Sequence, residues 1–187
     1  MAWVSALLSG LLVAQSSGVW IDVPFVKQEK DGCGAAVIAM VMQYWAKQPS
    51  KPDSRKHGAE KQRNAESADP AAIQQGLYSP KAKGIYASDM ERYFKEHGFR
   101  TFTFAGTWDD LKQHLEKGRP LIAAVKPAPG EKSLHYVVVT GVDWGQNLVM
   151  VNDPAQKKLL KEDRASFEKQ WAAKGRWTLL AVPGGSP

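Results

Sequence analysis

The chain contains a single cysteine, Cys33, and only four histidines, which are scattered along its 187 residues. One cysteine excludes an internal disulfide, and these residues lack the spacing typical of a zinc site, so we expect neither a metal nor another cofactor. The sequence holds no repeat, heptad or low-complexity tract, and no Walker motif. ATP is therefore not an expected partner.

Basic residues outnumber acidic ones by 25 to 19, which gives a formal net charge of +6 and a pI of about 9.4. The densest basic stretch, residues 47–63, has six Lys and Arg side chains, two prolines and no aromatic residue. A nucleic-acid surface would normally interleave aromatic side chains with the positive charges. This composition favours a solvated loop, so we expect no nucleic-acid partner.

The first 17 residues carry no charged side chain and include an apolar stretch at 2–14. This stretch is short for a membrane span and has the length of the central region of a signal peptide. Small residues at Ala14 and Ser16 would suit cleavage after Ser16. We predict a signal peptide at 1–17 and export to the periplasm or the extracellular space. The alternatives are an uncleaved anchor, which would make the membrane a partner, and an apolar element of the fold.

The remaining length suits one domain, predicted at 18–183 and followed by a flexible tail at 184–187. Caps and apolar periodicity predict helices at 32–47, 70–75, 89–98, 108–118 and 164–173, with N-caps at Asp31, Asp69, Ser88, Thr107 and Asp163. Alternating or continuous apolar runs predict strands at 19–28, 99–104, 121–125, 135–142, 147–152 and 176–182. Helices that precede a largely consecutive run of strands predict an α+β fold with an antiparallel sheet.

Cys33 stands between two glycines at the start of the apolar run 35–42, which predicts a buried helix. If Asp31 caps this helix, Cys33 is its second residue. There, unpaired backbone N–H groups and the positive end of the helix dipole favour a sulfur anion. Since the thiolate is the reactive form of cysteine, this position suits a nucleophile, although a small core residue is the simpler alternative.

A cysteine nucleophile needs a base, and His135 differs from the other histidines because it begins an apolar strand that could hold its imidazole against the helix of Cys33. His57 falls in the most loop-like part of the chain. His97 lies at a helix C-terminus, where a cation is simply favourable, and His114 lies inside an amphipathic helix. We therefore predict that His135 is the functional histidine.

Two further residues complete the predicted site. Asp153 follows the strand after that of His135, and a hairpin of these two strands would bring its carboxylate near the imidazole, where it could fix the ring tautomer. Gln28, five positions before Cys33, could donate its amide N–H to an oxyanion together with the Cys33 backbone N–H. Taken alone, Asp-Pro after a strand is an ordinary turn, and a loop glutamine is usually solvated.

In this order the segments VPFVKQ, DGCGAAVIAMVMQYW, GRPLIAAV, LHYVVVTGV, VNDPA and SFEKQW resemble those of a papain-like cysteine peptidase. More narrowly they resemble the C39 family, whose best-known members remove double-glycine leader peptides from bacteriocin precursors. The resemblance implies a papain-like fold in which a buried N-terminal helix carrying the cysteine packs on an antiparallel sheet. It also implies four roles: nucleophile, general base and acid, orienting residue and oxyanion donor, carried by Cys33, His135, Asp153 and Gln28 respectively.

The resemblance further implies a peptide or protein substrate and hydrolysis through a thioester acyl-enzyme. It is closer to stand-alone secreted C39-like proteins than to the exporters, because the sequence shows an export signal in place of a transporter and has neither a Walker motif nor a long apolar span. Two alternatives stay open on the same fold. The acyl group could pass to an amine, as in a transpeptidase or amidase, or the chain could be a catalytically inactive peptide-binding module.

Overall fold

The computed structural model of the protein describes residues 17–49, 68–126 and 134–184. The helices in these ranges are α1 (Cys33–Lys47), α2 (Pro70–Leu77), α3 (Ala87–Glu96), α4 (Trp108–Glu116) and α5 (Arg164–Ala172). The strands are β1 (Gly18–Trp20), β2 (Phe99–Ala105), β3 (Leu121–Val125), β4 (His135–Asp143), β5 (Leu148–Asn152), β6 (Leu160–Asp163) and β7 (Trp177–Pro183). The predicted signal peptide up to residue 16, most of the basic stretch and the tail after Gly184 lie outside the described residues.

All seven strands form one antiparallel sheet in the order β2-β7-β3-β4-β5-β6, and β1 pairs with the far end of β4. The predicted hairpin of β4 and β5 is present, with Val138 opposite Asn152. The last strand, β7, is inserted between β2 and β3. No local pattern in the sequence indicates that insertion, because it depends on pairing between distant segments.

Helices cover both faces of the sheet. Alternate residues of β3 face opposite sides, so Ile122 and Ala124 pack towards α1, α2 and α3, while Leu121 and Ala123 pack towards α4 and α5. Both faces of the central strands are buried, which explains their continuous apolar sequences. The predicted α+β fold is confirmed, and so is the buried helix: every residue from 35 to 42 is at most 2% exposed.

The strand predicted at 19–28 ends at Trp20. After this point the chain leaves the sheet edge and is held by side chains and loops instead. The Asn152 amide donates to Val23 O at 3.1 Å, and Gln28 N donates to Pro154 O at 3.0 Å. These bonds use the Val23 carbonyl and the Gln28 N–H, which a strand would need for pairing with a neighbour. They also hold residues 23–28 against the end of β5.

The prediction that Asp31 caps α1 is wrong. Asp31 adopts a left-handed conformation with φ of 56°, Gly32 is the N-cap, and Cys33 is the first helical residue. A turn in which Gly32 N donates to Glu29 O at 3.0 Å places Asp31 outside the helix. Its carboxylate instead accepts a hydrogen bond from the Tyr78 hydroxyl at 3.5 Å.

The other helix starts show where side-chain capping can be predicted. The prediction that Ser88 caps α3 is wrong. The helix begins at Ala87, two residues before the predicted start, and its N-cap, Tyr86, makes no side-chain cap. The Tyr86 carbonyl accepts the first hydrogen bonds from the helix. The remaining three predicted caps are confirmed by hydrogen bonds to first-turn N–H groups, at Asp69, Thr107 and Asp163. The short strand β6 was not predicted.

Candidate active site

Cys33 is half-buried at the first position of α1. Its N-cap, Gly32, has no side chain to bond the first-turn N–H groups, and the first turn of α1 contains no acidic residue. The positive end of the helix is therefore neither capped nor neutralised by a carboxylate within that turn. A helix start of this kind is a favourable place for an anion, and α1 starts one residue later than predicted.

His135 and Asp153 meet at the end of the β4–β5 hairpin. His135 Nε2 lies 2.7 Å from Asp153 Oδ1, and the two residues are 9% and 4% exposed. His135 is the first residue of β4 and Asp153 directly follows β5, so antiparallel pairing places them side by side. The expected proximity of these two side chains is what the structure shows.

Cys33 is the second side chain that acts on the imidazole, through hydrogen bonding and charge that raise the pKa of His135. Since Nε2 faces Asp153, the other ring nitrogen, Nδ1, is the one left for Cys33. The helix and the hairpin therefore bring a cysteine, an imidazole and a carboxylate together, with the imidazole interacting with both of the others. This order of groups can generate a nucleophile, carry its proton and hold the imidazole in one tautomer.

The electrostatics favour a charged imidazole. Burial alone would lower the pKa of His135, but hydrogen bonds to Asp153 and Cys33, together with their negative charges, raise that pKa to about 9. Burial alone would raise the pKa of Asp153, but the bond from His135, its positive charge and further donors hold that pKa below its ordinary value. The site is therefore set up to hold an imidazolium next to a carboxylate at neutral pH.

Asp153 has two further hydrogen-bond donors. Ala155 N donates to Oδ1 at 2.9 Å, and Gln156 Nε2 donates to Oδ2 at 2.6 Å. Gln156 therefore occupies the carboxylate oxygen that does not face His135, which fixes the plane of the carboxylate. Gln156 was not among the site residues predicted from the sequence. Its only signal is a glutamine three residues after an aspartate in a turn, which is too common to be specific.

Gln28 is brought to the site by its backbone. Its N–H bond to Pro154 joins it to the loop of Asp153, and the turn from Glu29 to Gly32 leads directly from it to Cys33. Its side-chain oxygen Oε1 is buried and has no hydrogen-bond partner within the described part of the chain. This oxygen can only accept a hydrogen bond, so a role for Gln28 as an oxyanion donor would depend on its Nε2 group instead.

Asn152, also not assigned a role from the sequence, holds this arrangement together. It is fully buried; its amide donates to Val23 O, and its Oδ1 accepts from Leu159 N at 3.0 Å. One side chain thus ties the segment leading to Gln28 to the end of β5 and to the loop that follows Asp153.

The other histidines lie elsewhere. His97 Nδ1 is 2.7 Å from the Tyr93 carbonyl oxygen at the end of α3. His114 lies in α4, where burial and then the Arg119 charge lower its pKa. His57 lies outside the described residues. In the described ranges, no cluster of three or more His, Cys, Asp or Glu residues could hold a metal ion, and no helix is both long and apolar enough to cross a membrane.

Residues 20–178 match the family model described as the peptidase C39 like family. The chain belongs to this family. The match includes all of α1, the β4–β5 hairpin and the loop of Asp153, so every residue of the candidate site falls inside the C39-like region. No curated protein is similar enough in sequence to count as a match.

Solved structures share the C39-like fold at low sequence identity. The peptidase domain of Streptococcus ComA, a bi-functional ABC transporter involved in quorum sensing, is 21% identical with a TM-score of 0.62, over 87% of this chain and 99% of that one. A Bacillus anthracis protein described as a C39-like peptidase is 19% identical with a TM-score of 0.62, over 88% and 97%. A double glycine motif protease from an AMS/PCAT transporter, in complex with its leader peptide, is 18% identical with a TM-score of 0.59, over 88% and 94%. These similarities show that the C39-like chain has the fold of C39 peptidase domains.

Proposed function

We propose that the protein is a cysteine peptidase in which Cys33 attacks the carbonyl carbon of a peptide bond. The observation that carries this proposal is that His135 lies 2.7 Å from Asp153 and also interacts with Cys33, which stands at the N-terminus of a buried helix. Membership of the peptidase C39 like family supports it. The fold alone would be compatible with other chemistries, so the arrangement of these three side chains is the decisive feature.

The reaction begins with a thiolate on Cys33 and an imidazolium on His135. Attack by Sγ gives a tetrahedral oxyanion, and collapse of that intermediate breaks the C–N bond while the imidazolium gives its proton to the departing amine. The acyl group is then bound to Sγ as a thioester. His135, now neutral, takes a proton from water, whose oxygen attacks the thioester and releases a carboxylic acid and the thiolate.

The oxyanion would be stabilised by the Cys33 backbone N–H at the start of α1 and by the side-chain amide of Gln28. The Gln28 backbone is fixed to the loop of Asp153 by its bond to Pro154, so this donor would be held near its working position before substrate binds. Donors that need no reorganisation during the reaction contribute most to the rate.

A peptide or protein is the substrate class that this chemistry requires. The double glycine motif protease of similar fold was solved with a leader peptide, and ComA from Streptococcus mutans with a small-molecule inhibitor, which supports a peptide-binding cleft in this chain as well.

The test is cleavage of a mixed, proteome-derived peptide library, analysed by mass spectrometry for new termini. The wild type should produce cleavage that iodoacetamide abolishes, Cys33→Ala should produce none, and His135→Ala should retain about a thousandth of the rate or less. His97→Ala is the matched control and should cleave like the wild type. Cleavage that persists in Cys33→Ala would refute the proposal.

A further inference from the structure

Tyr136 directly follows His135 in β4, and its ring belongs to the core on the α1 face of the sheet. Its partner in the neighbouring strand β3 is Ala124, and the centroid of its ring lies 5.6 Å from that of Trp177. Cys33 packs against the same core. The tyrosine ring is therefore fixed by the sheet in the core that the candidate nucleophile borders.

The Tyr136 hydroxyl is buried and has no hydrogen-bond partner in the described part of the chain. Within 17–49, 68–126 and 134–184, other buried side-chain atoms share this property, but their residues are only partly buried, whereas Tyr136 is 2% exposed. A buried hydroxyl that makes no hydrogen bond costs free energy, and a phenylalanine of the same shape would avoid this cost. The hydroxyl therefore calls for a partner that this state of the site does not supply.

Tyr44 provides a comparison within the same core. It lies in α1 and is buried, and its hydroxyl donates to Gly118 O at 2.7 Å. Burial raises the pKa of Tyr44. The core on the α1 face thus pairs one buried tyrosine hydroxyl with a carbonyl oxygen and leaves the other, that of Tyr136, unpaired.

The charge on Cys33 acts on the Tyr136 hydroxyl. Burial raises the pKa of Tyr136, and the negative charge of a Cys33 thiolate raises it further. Among the titratable groups of the described residues, Cys33 is the one whose charge acts on this hydroxyl. Tyr136 therefore keeps its proton at neutral pH, so its hydroxyl is able to donate a hydrogen bond to an anion nearby.

A thiolate suits this hydroxyl better than a thiol does, because a hydrogen bond to an ionised acceptor is about twice as strong as one between neutral groups. Cys33 Sγ is the atom that carries negative charge at the start of the proposed reaction. The hydroxyl does not bond Sγ in this structure. Rotation about the Cα–Cβ bond of Cys33 changes the distance between the two atoms without moving α1. Ionisation of Cys33 would then supply the partner that the hydroxyl lacks.

We propose that the Tyr136 hydroxyl donates a hydrogen bond to the Cys33 thiolate and stabilises the nucleophile in its reactive form. This inference rests on the proposed peptidase function, in which Cys33 is ionised before it attacks. His135 and Tyr136 then act on one sulfur from neighbouring positions of β4. His135 holds the proton that the thiol has lost, and Tyr136 stabilises the charge that remains on Sγ. When the thioester forms, Sγ is neutral and this hydrogen bond loses its ionised acceptor.

The experiment follows alkylation of Cys33 by iodoacetamide between about pH 4 and pH 9, by intact mass. Tyr136→Phe removes only the hydroxyl. Tyr44→Phe is the matched control, because it removes a buried hydroxyl from the same core. His135→Ala reports on the proposed thiolate–imidazolium pair. In addition, urea unfolding at neutral pH compares both tyrosine variants in the wild type and in Cys33→Ala, which measures whether hydroxyl and sulfur interact in the folded protein.

Tyr136→Phe should slow alkylation about tenfold on the acidic side of the wild-type midpoint, because less thiolate forms there. At about pH 9 its rate should lie within about twofold of the wild-type rate. Tyr44→Phe should keep the wild-type profile. In urea, Tyr136→Phe should lower the unfolding midpoint only when Cys33 is present, whereas Tyr44→Phe should lower it equally with Cys33 and with Cys33→Ala.

The proposal is overturned if Tyr136→Phe keeps the wild-type alkylation profile, or if its effect in urea is the same with and without Cys33. The hydroxyl would then serve the core or a bound water, and not the sulfur. His135→Ala separates this inference from the proposed function. If His135→Ala shifts the profile and Tyr136→Phe does not, only the inference about Tyr136 is wrong. If neither variant shifts it, the thiolate–imidazolium pair does not form and both are wrong.

Discussion

His135 is buried, yet its surroundings favour the charged ring. Isolated burial would remove the proton, because a cation loses hydration inside a protein. Asp153 and Cys33 reverse this effect through hydrogen bonding and negative charge, which stabilise the charged ring. At the residue scale, therefore, the pKa of His135 reports whether Asp153 and Cys33 both interact with its ring.

The titration of His135 should be visible by NMR of the histidine ring protons. Because its pKa is raised to about 9, His135 should stay protonated as the pH rises through 7 and lose its proton near pH 9. Asp153→Asn should bring the midpoint down towards the ordinary value of about 6.5, since the neutral amide attracts the imidazolium less. His114 in the same spectra should titrate below the ordinary value. A His135 midpoint at or below about 6.5 in the wild type would contradict this account.

At the scale of elements, the start of α1 contains two glycines, and the sequence does not reveal which groups pack against them. The motif Gly32-Cys33-Gly34 indicates a place where another segment or a ligand comes close to the backbone. Only the structure identifies the neighbour: Gly34 packs on Ile85, which lies 51 residues later in the chain. A contact between distant segments leaves no mark on local periodicity, which is why the packing of Ile85 on the start of α1 could not be predicted.

Gly34→Ala should destabilise the protein by about 1 to 3 kcal/mol, because its Cβ would meet the branched Cβ of Ile85 at 2.9 Å. Gly76→Ala in α2 is the matched control. A Cβ there meets nothing within 4 Å, so alanine should stabilise the helix by up to about 1 kcal/mol. Urea denaturation of the two variants measures both effects. If the two substitutions change the free energy of unfolding equally, the close contact between Gly34 and Ile85 is contradicted.

For the whole molecule, the β4–β5 hairpin and the buried helix were predictable, and the sheet order was not. Apolar runs and turn residues are local signals, and they placed Cys33, His135 and Asp153 on the correct elements. The insertion of β7 between β2 and β3 is set by long-range pairing and by the fit of both faces to the helices. The role of Gln28 was predicted from its position five residues before Cys33 and stays a prediction. Asn152 and Gln156 act through hydrogen bonds that only the folded chain shows.

The shared sheet should make the two cores unfold together. Ile38 belongs to the core on the α1 face and Leu111 to the core on the opposite face, and neither is exposed. Ile38→Ala and Leu111→Ala should each lower the free energy of unfolding by about 2 to 5 kcal/mol. In both variants far-UV and near-UV circular dichroism should report one coincident transition. Two separate transitions in either variant would show that the faces are independent.

The most direct test of the central claim is the pH profile of Cys33 alkylation by iodoacetamide, followed by intact mass. An ordinary thiol reacts about two hundredfold more slowly at pH 6 than at pH 9, because little thiolate remains. If His135 holds the proton of Cys33, the wild-type rate should fall less than about fivefold over this range. His135→Ala should restore the steep profile, and His97→Ala should keep the shallow one. A steep profile in the wild type, identical to that of His135→Ala, would contradict the account.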